Sequence, residues 1–324
     1  MKLLFKTIGT AGNTELKELL GFIDADLKIQ NLIPDLISST NDVIDLVGQE
    51  VYDKAVALYN EGTIEEVNKP LIYAVRYPIA VNAYRLYSPS NDIAHTNNGR
   101  KMRQDENEKQ AFEWMLDRDN AALEKRYYRA LDDLIKFLDK SKIEQETETT
   151  LYTIWSKSDA FKKTHDLFIR TVSEFDQFFP IQSRLLLLKL APGINDCEQY
   201  EIRPRLGVDK FTSLKNKLKE DTKLTEALDL ELIRLIRQAS VSYSLAWSMP
   251  RLSVNLYPEG VLQHVSSDKA SSKKSEPEEA RQAFMADANK AFREIEKLLE
   301  PPLVIDETIN VIPKQIYGDK FFSA

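Results

Sequence analysis

Apolar residues recur along this chain at the three-to-four-residue spacing of amphipathic helices, in two successions of similar length. In the first, Leu27, Leu32, Ile33, Leu36, Ile37, Val43, Ile44 and Val47 trace one helical face, with Asp24 placed to cap its start and Gly48 to end it. A shorter helix over 51–59 follows, and a third starts at Asn68-Lys69-Pro70, where proline suits a first turn. Its face is Leu71, Ile72, Val75, Ile79, Ala83 and Leu86, and Pro78 is expected to kink it without ending it. Ile93-Ala94-His95-Thr96 and Arg100-Lys101-Met102-Arg103 then flank Asn97-Asn98-Gly99, a strong turn signal for a β-hairpin. A long helix over 106–140 closes the succession, with Phe112, Leu116, Leu123, Tyr127, Leu131, Leu134 and Leu138 on one face; 144–150 is a polar link.

The second succession repeats this order. An apolar helix over 181–190 is expected to stop at Ala191-Pro192-Gly193, where the first copy runs on. Gly207 precedes Phe211, Leu214 and Leu218, and 226–247 carries Leu230, Ile233, Ile236, Ala239, Val241 and Leu245. Residues 251–257 alternate as a strand, Pro258-Glu259-Gly260 turns the chain, and 261–265 return. A Ser/Lys-rich stretch over 266–275 reads as a flexible linker, before a helix over 278–300 with Ala283, Phe284, Ala291, Ile295, Leu298 and Leu299. Asp24 and Asp176, Asn41-Asp42 and Asn195-Asp196, Val47-Gly48 and Leu206-Gly207, Asn98-Gly99 and Glu259-Gly260 lie 152, 154, 159 and 161 residues apart. Offsets that grow and never reverse are what a tandem duplication with small loop insertions produces. The expected fold is mainly α: two tandem helical-bundle repeats, over 1–150 and 151–300, plus an extended C-terminal tail over 301–324. Each repeat is expected to carry a projecting β-hairpin, near 91–104 and 251–265.

The tail is too apolar to be solvated, with Leu303, Val304, Ile305, Val311, Ile312, Ile316, Tyr317, Phe321 and Phe322. It either packs back on its own chain or docks on a neighbouring subunit, and docking is the favoured reading. The candidate subunit-contact residues are therefore the two hairpin tips, Asn97, Asn98, Gly99 and Pro258, Glu259, Gly260, with Ile316, Tyr317, Phe321 and Phe322 of the tail.

Composition narrows the classes. The 324 residues are 43% hydrophobic and 29% charged, the balance of a folded soluble protein long enough for two domains. The net charge of −7 makes the whole chain a poor ligand for a phosphate backbone, and Lys269 to Lys274 read as part of the solvated linker. One cysteine, Cys197, excludes an intrachain disulfide and a thiolate metal cluster and fits a reducing compartment. Neither a signal peptide nor a membrane span is expected from the apolar runs.

No reaction is named by the motifs. His95, His165 and His264 fall on two predicted hairpins and a helix, with no metal-ligand spacing. Cys197 lies between Asp196 and Glu198, which would raise its pKa, so it reads as buried or idle. Gly9-Thr10-Ala11-Gly12-Asn13-Thr14 lacks the ending of a phosphate loop and reads as a loop before a short helix. Asp132-Asp133 and Glu65-Glu66 splay on a helix and read as solvated faces. Tyr73, Tyr77 and Tyr84 share a face and, with Tyr87, Trp114, Tyr127 and Tyr128, read as helix packing ahead of a base-stacking platform. Catalytic, metal and cofactor sites are all read as none.

Asp24 with Ile29-Gln30, Leu32-Ile33, Asn41-Asp42 and Leu46-Val47-Gly48, then Pro70-Leu71-Ile72-Tyr73-Ala74-Val75 and Tyr84-Arg85-Leu86-Tyr87, resembles the helical head–tail connector (adaptor) proteins of tailed bacteriophages. That resemblance covers about a fifth of the chain. Residues 175–190, Ile202-Arg203-Pro204-Arg205-Leu206-Gly207 and 252–260 also resemble a family of uncharacterised proteins from Bacteroidota phages and prophages. The resemblance implies a non-enzymatic virion protein: a homo-oligomeric ring, a dodecamer being one such size, in the neck between portal protein and tail or tail-completion protein. Genomic DNA would pass through such a ring without sequence-specific binding, and assembly would take place in the host cytoplasm. Known small adaptors generally carry one such unit, whereas this chain has two and a tail. The alternatives are a tail-side or baseplate component of a contractile injection assembly and an unrecognised α-helical enzyme.

Overall fold

A computed structural model describes residues 2–7, 10–23, 27–61, 65–97, 99–102, 111–141, 151–219, 226–251, 254–256, 262–264 and 275–299. Its helices are α1 (Thr10–Leu20), α2 (Ile33–Val47), α3 (Gln49–Tyr59), α4 (Lys69–Asn91), α5 (Glu113–Lys140), α6 (Leu151–Ser156), α7 (Asp159–His165), α8 (Val172–Asp176), α9 (Arg184–Asp196), α10 (Arg203–Leu206), α11 (Val208–Lys219), α12 (Ala227–Ser248) and α13 (Ser275–Leu299). The chain is mainly α. Among the described residues no helix is long and apolar enough to cross a membrane. The strands are short: β1 (Ile93–Thr96) pairs antiparallel with β2 (Gly99–Met102), and β3 (Val254–Leu256) with β4 (Leu262–His264). Asp24, the expected cap, and the tail over 301–324 lie outside the described residues.

Each half is organised around a pair of long helices. In the N-terminal half α4 packs on α5 and α2, and one apolar core runs from Leu4 to Ala160, so that Leu151, Trp155 and Ala160 complete it. In the C-terminal half α12 packs on α13 and α9, over two cores that include Phe168, Phe211, Ile236 and Phe292, and Phe175, Leu187, Ile194 and Leu245. The helices α6 to α8, between the halves, have no counterpart in the sequence pattern. Gly48 and Gly207 end α2 and α10 with φ of 92° and 76°, the left-handed conformation in which glycine escapes Cβ strain.

Burial keeps step between the halves. Seven buried positions of α4 (Leu71, Ile72, Val75, Pro78, Ile79, Ala80 and Ala83) match buried Leu232, Ile233, Ile236, Ala239, Ser240, Val241 and Ser244 of α12 at a constant offset of 161. The same offset pairs buried Tyr127, Ala130, Leu131 and Leu134 of α5 with Ala288, Ala291, Phe292 and Ile295 of α13. Leu32, Leu36, Ser39 and Thr40 match Leu190, Ile194, Cys197 and Glu198 at 158, while Val43 matches Ile202 at 159. The one-residue step falls inside a π-helical stretch, Cys197–Ile202, that joins α9 to α10. A π turn takes one residue more than an α turn, so it absorbs an insertion without rotating the faces on either side.

That joined helix corrects an expectation. Ala191-Pro192-Gly193 does not stop it: α9 runs through Pro192 and on to Leu206 by way of the π stretch. Pro192 is exposed and stands 158 residues from Pro34, itself in the first turn of α2, so proline occupies the same place in both halves. Gly193 is a packing notch, since a Cβ there would lie 2.9 Å from Cδ2 of the Trp247 ring, whose Nε1 donates to Asp196 at 3.0 Å. Pro78 and Pro89 likewise lie within α4, which continues to Asn91. Thr10 to Asn13, expected in a loop, belong to α1: Gly12 lets the backbone at Lys6 lie against the helix, and Asn13 Oδ1 accepts from the Ile29 N–H at 2.9 Å.

Candidate functional site

Of the candidate contact residues, Asn97 and Gly99 are exposed at the β1–β2 connection, where Thr96 pairs with Gly99 and its Oγ1 donates to the Gly99 carbonyl at 2.8 Å. Gly99 has a φ of 96°. Asn98, Pro258, Glu259, Gly260, Ile316, Tyr317, Phe321 and Phe322 lie outside the described residues. A surface that the sequence pattern missed lies at the start of α5. Phe112, Trp114 and Met115, in the first turn of α5, are 67%, 59% and 42% exposed. Periodicity assigned Phe112 to a buried face, because the spacing of apolar residues does not reveal where the packing partner ends.

The partner here is α4. Arg85 of α4 lies over the Tyr127 ring of α5 at 5.5 Å, which sets the two helices in register. From that point α5 runs twelve residues back to Met115, whereas α4 has only six left to Asn91, so at 1.5 Å per residue α5 overhangs by about 9 Å. Tyr73 also departs from the packing expectation: it is 54% exposed and stacked on Tyr77, with ring centroids 5.3 Å apart.

A second candidate is the cleft where the halves meet, a cavity of about 330 Å³ whose walls include Asp139, Tyr152, Phe161, His165, Arg170, Glu174 and Arg184. Its two acids are paired, while Arg184 Nη1 is buried without a hydrogen-bond partner. Arg184 donates from Nε to Asp139 at 2.9 Å and from Nη2 to Thr164 Oγ1 at 2.7 Å, and Trp155 Nε1 donates to Asp139 at 2.8 Å. Glu174 receives Arg237 Nη2 at 2.5 Å and the backbone N–H of Arg170 at 2.7 Å, while closing a capping box with Thr171. His165 stacks on Phe161 at 4.8 Å. Behind the cleft, Asp132 overturns the solvated reading given to Asp132-Asp133: it is buried and accepts from the backbone N–H groups of Arg184 and Leu185, the second at 3.0 Å. An acid of the N-terminal half thus caps the first turn of α9, where orphan N–H groups and the helix dipole favour negative charge. Asp133 and the Glu65-Glu66 pair are exposed as expected.

Besides Arg184, the described residues of the C-terminal half bury Cys197, Glu198 and Asp229. Cys197 is fully enclosed; burial pushes its thiol well above the ordinary range, and Ser240 Oγ donates to its sulfur at 3.8 Å. Glu198 accepts from the Phe168 N–H at 2.7 Å and lies 2.7 Å from Lys215 Nζ; burial pushes its carboxyl up against the pull of that lysine. Burial also acts to raise Asp229, but Lys210 at 2.5 Å and Lys217 at 2.6 Å outweigh it and hold that carboxyl below its usual value. Leu230, expected on the buried face, is exposed beside it. Among the described residues no three His, Cys, Asp or Glu side chains gather as a metal site.

The family described as "Family of unknown function (DUF6712)" matches this chain over residues 43–164 and 202–301. The chain belongs to this family. The two matched stretches take in α3 to α7 and α10 to α13, and the second begins 159 residues after the first. Gly48 and Gly207 stand the same distance apart. No curated protein and no solved structure matches the chain.

Proposed function

We propose that this member of the family is a non-enzymatic structural subunit built from two tandem copies of one helical module, and that it forms a ring between portal and tail in the neck of a phage particle. One observation supports the duplication above the others: buried positions of α4 and α5 recur in α12 and α13 at one unbroken offset, and the π stretch accounts for the step from 158 to 159 in the preceding helix. Both modules carry an antiparallel strand pair between their two long helices, β1–β2 and β3–β4, which we take as contact devices. The assignment to a neck rests on the resemblance of the first module to head–tail connector proteins. A ring needs heterologous interfaces, one face of a subunit meeting a different face of the next. A chain whose two modules share a core and differ in surface supplies such faces.

The junction cleft fits this reading better than a catalytic one. Its acids are each committed to an arginine and to backbone N–H or indole donors, an arrangement that locks the halves together. Negative-stain microscopy of the purified chain, alone and with a portal ring, tests the proposal: closed rings or a portal-bound layer are expected. A chain that stays monomeric at high concentration and ignores the portal overturns it. Labelling the protein within a purified particle separates the neck from a baseplate or other tail-side position in a contractile assembly.

A further inference from the structure

The offset of 161 that pairs α4 with α12 and α5 with α13 continues past the ends of the long helices. Apolar spacing alone does not reveal α6 and α7, but the offset supplies their counterparts. Leu151, Trp155, Ala160 and Phe161 fall opposite Ile312, Ile316, Phe321 and Phe322, and Glu146-Thr147 of the preceding link falls opposite Glu307-Thr308. The helix-start signals recur as well. Ser158 caps α7 by accepting from the Phe161 N–H at 3.2 Å, and its counterpart is Asp319, another residue preferred at a helix N-cap. Pro313 falls opposite Tyr152, in the first turn of α6, where a helix tolerates proline.

In the first half these residues cover the core. Leu151, Trp155 and Ala160 are buried, α6 packs on α3 and α5, and α7 packs on α2. The corresponding face of the second half, on α10, α11 and α13, is less covered. Val47 and Leu138 are fully buried, whereas their counterparts Leu206 and Leu299 are only half-buried. Gly48 and Gly207 differ in the same sense. A Cβ on Gly48 would lie 3.6 Å from Cβ of Ser158, whereas one on Gly207 would meet nothing within 4 Å among the described residues.

We propose that residues 312–322 form the counterparts of α6 and α7 and cover this face of their own chain, completing the second core as α6 and α7 complete the first. This rests on the duplication in the reading above and not on its assembly into a ring. Chain length argues for the occupant: the link from the end of α5 to Leu151 and the matching link to Ile312 have the same number of residues, so the segment reaches the matching place with no change in length. Its capping and apolar residues fall where that place needs them, and packing there takes Ile312, Ile316, Phe321 and Phe322 out of water.

Disulfide trapping in the full chain tests this. Gly207→Cys with Asp319→Cys is oxidised beside a parallel pair, Gly48→Cys with Ser158→Cys, whose Cβ separation lies within the span of a disulfide and whose glycine has the same left-handed conformation. Each preparation mixes isotopically light and heavy chains, and mass spectrometry reads the linked peptides. Both pairs are expected to close within single chains, without light–heavy links. Light–heavy links between positions 207 and 319 overturn the proposal in favour of a segment exchanged between copies, and closure of the 48–158 pair alone overturns it outright. If strain at the glycines keeps both pairs open, Ile316→Ser with Phe322→Ser decides: the urea midpoint is expected to fall by about 1 M, and an unchanged midpoint overturns the proposal. Closed rings by microscopy neither require nor exclude this packing, so the assembly reading stands or falls separately.

Discussion

Single side chains set the register between the two halves. Asp132 supplies the first turn of α9 with an acceptor from another helix, so Asp132→Ala is expected to cost about 2 kcal/mol in urea unfolding, the sum of a lost cap and of N–H groups left dry. Gly193→Ala would place a Cβ against the Trp247 ring and should cost about 1–3 kcal/mol by the same measurement. Glu198 offers a pH test. Its folded pKa lies above the ordinary 4.5, so its contribution to stability is fully present below about pH 4.5 and is lost as pH rises through the folded value. The stability of wild type relative to Glu198→Gln should therefore improve as the pH is lowered from neutrality towards 4.5; a pH-independent difference would show that Glu198 titrates as it does in the unfolded chain. Thr40 occupies the matching place in the first half and donates to the Leu36 carbonyl at 2.6 Å.

At the scale of elements, the π stretch is the clearest mark of what the two halves share. If it absorbs one inserted residue, deleting Gln199 should let the joined helix run as α throughout, with Cys197 and Ile202 still facing inward. The variant is expected to unfold cooperatively by circular dichroism. The same deletion at Asn216 in α11, which has no such turn, should turn Leu218 by about 100° out of the core and abolish cooperative unfolding. Most elements were legible in the periodicity: α2 to α5 and α11 to α13 lie close to where apolar spacing and the turn glycines placed them. The exceptions have physical causes. Pro192 reads as a stop because a proline inside a helix removes a hydrogen bond, yet here it stands where Pro34 opens α2 and the chain before it is already helical. The short helices α6, α7 and α8 were illegible because seven residues or fewer show too little periodicity.

For the whole molecule, the interest lies in what two similar cores leave free. Both halves bury a matching set of positions, so selection on folding alone would make their surfaces interchangeable. They are not: exposed Phe112, Trp114 and Met115 of one half stand where the sequence of the other has Lys273, Ser275 and Glu276. The C-terminal segment belongs with the cores, so removing residues 301–324 is expected to lower the melting temperature of the monomer by more than about 5 °C. An unchanged melting temperature with assembly lost by light scattering would place that segment on a neighbouring subunit.

By itself, the sequence determined the helical class, the order of the long elements and the end of α2 at Gly48, because these depend on the spacing of apolar residues and on backbone sterics within a few residues. Tertiary structure alone decided which acids are buried, that Leu151, Trp155 and Ala160 join the first core, and that the start of α5 stands clear of α4. Burial is set by what packs against a face, and that partner is supplied by residues far away in the chain. For Asp132 it is the beginning of α9, 52 residues on, and for Trp114 it is the premature end of α4.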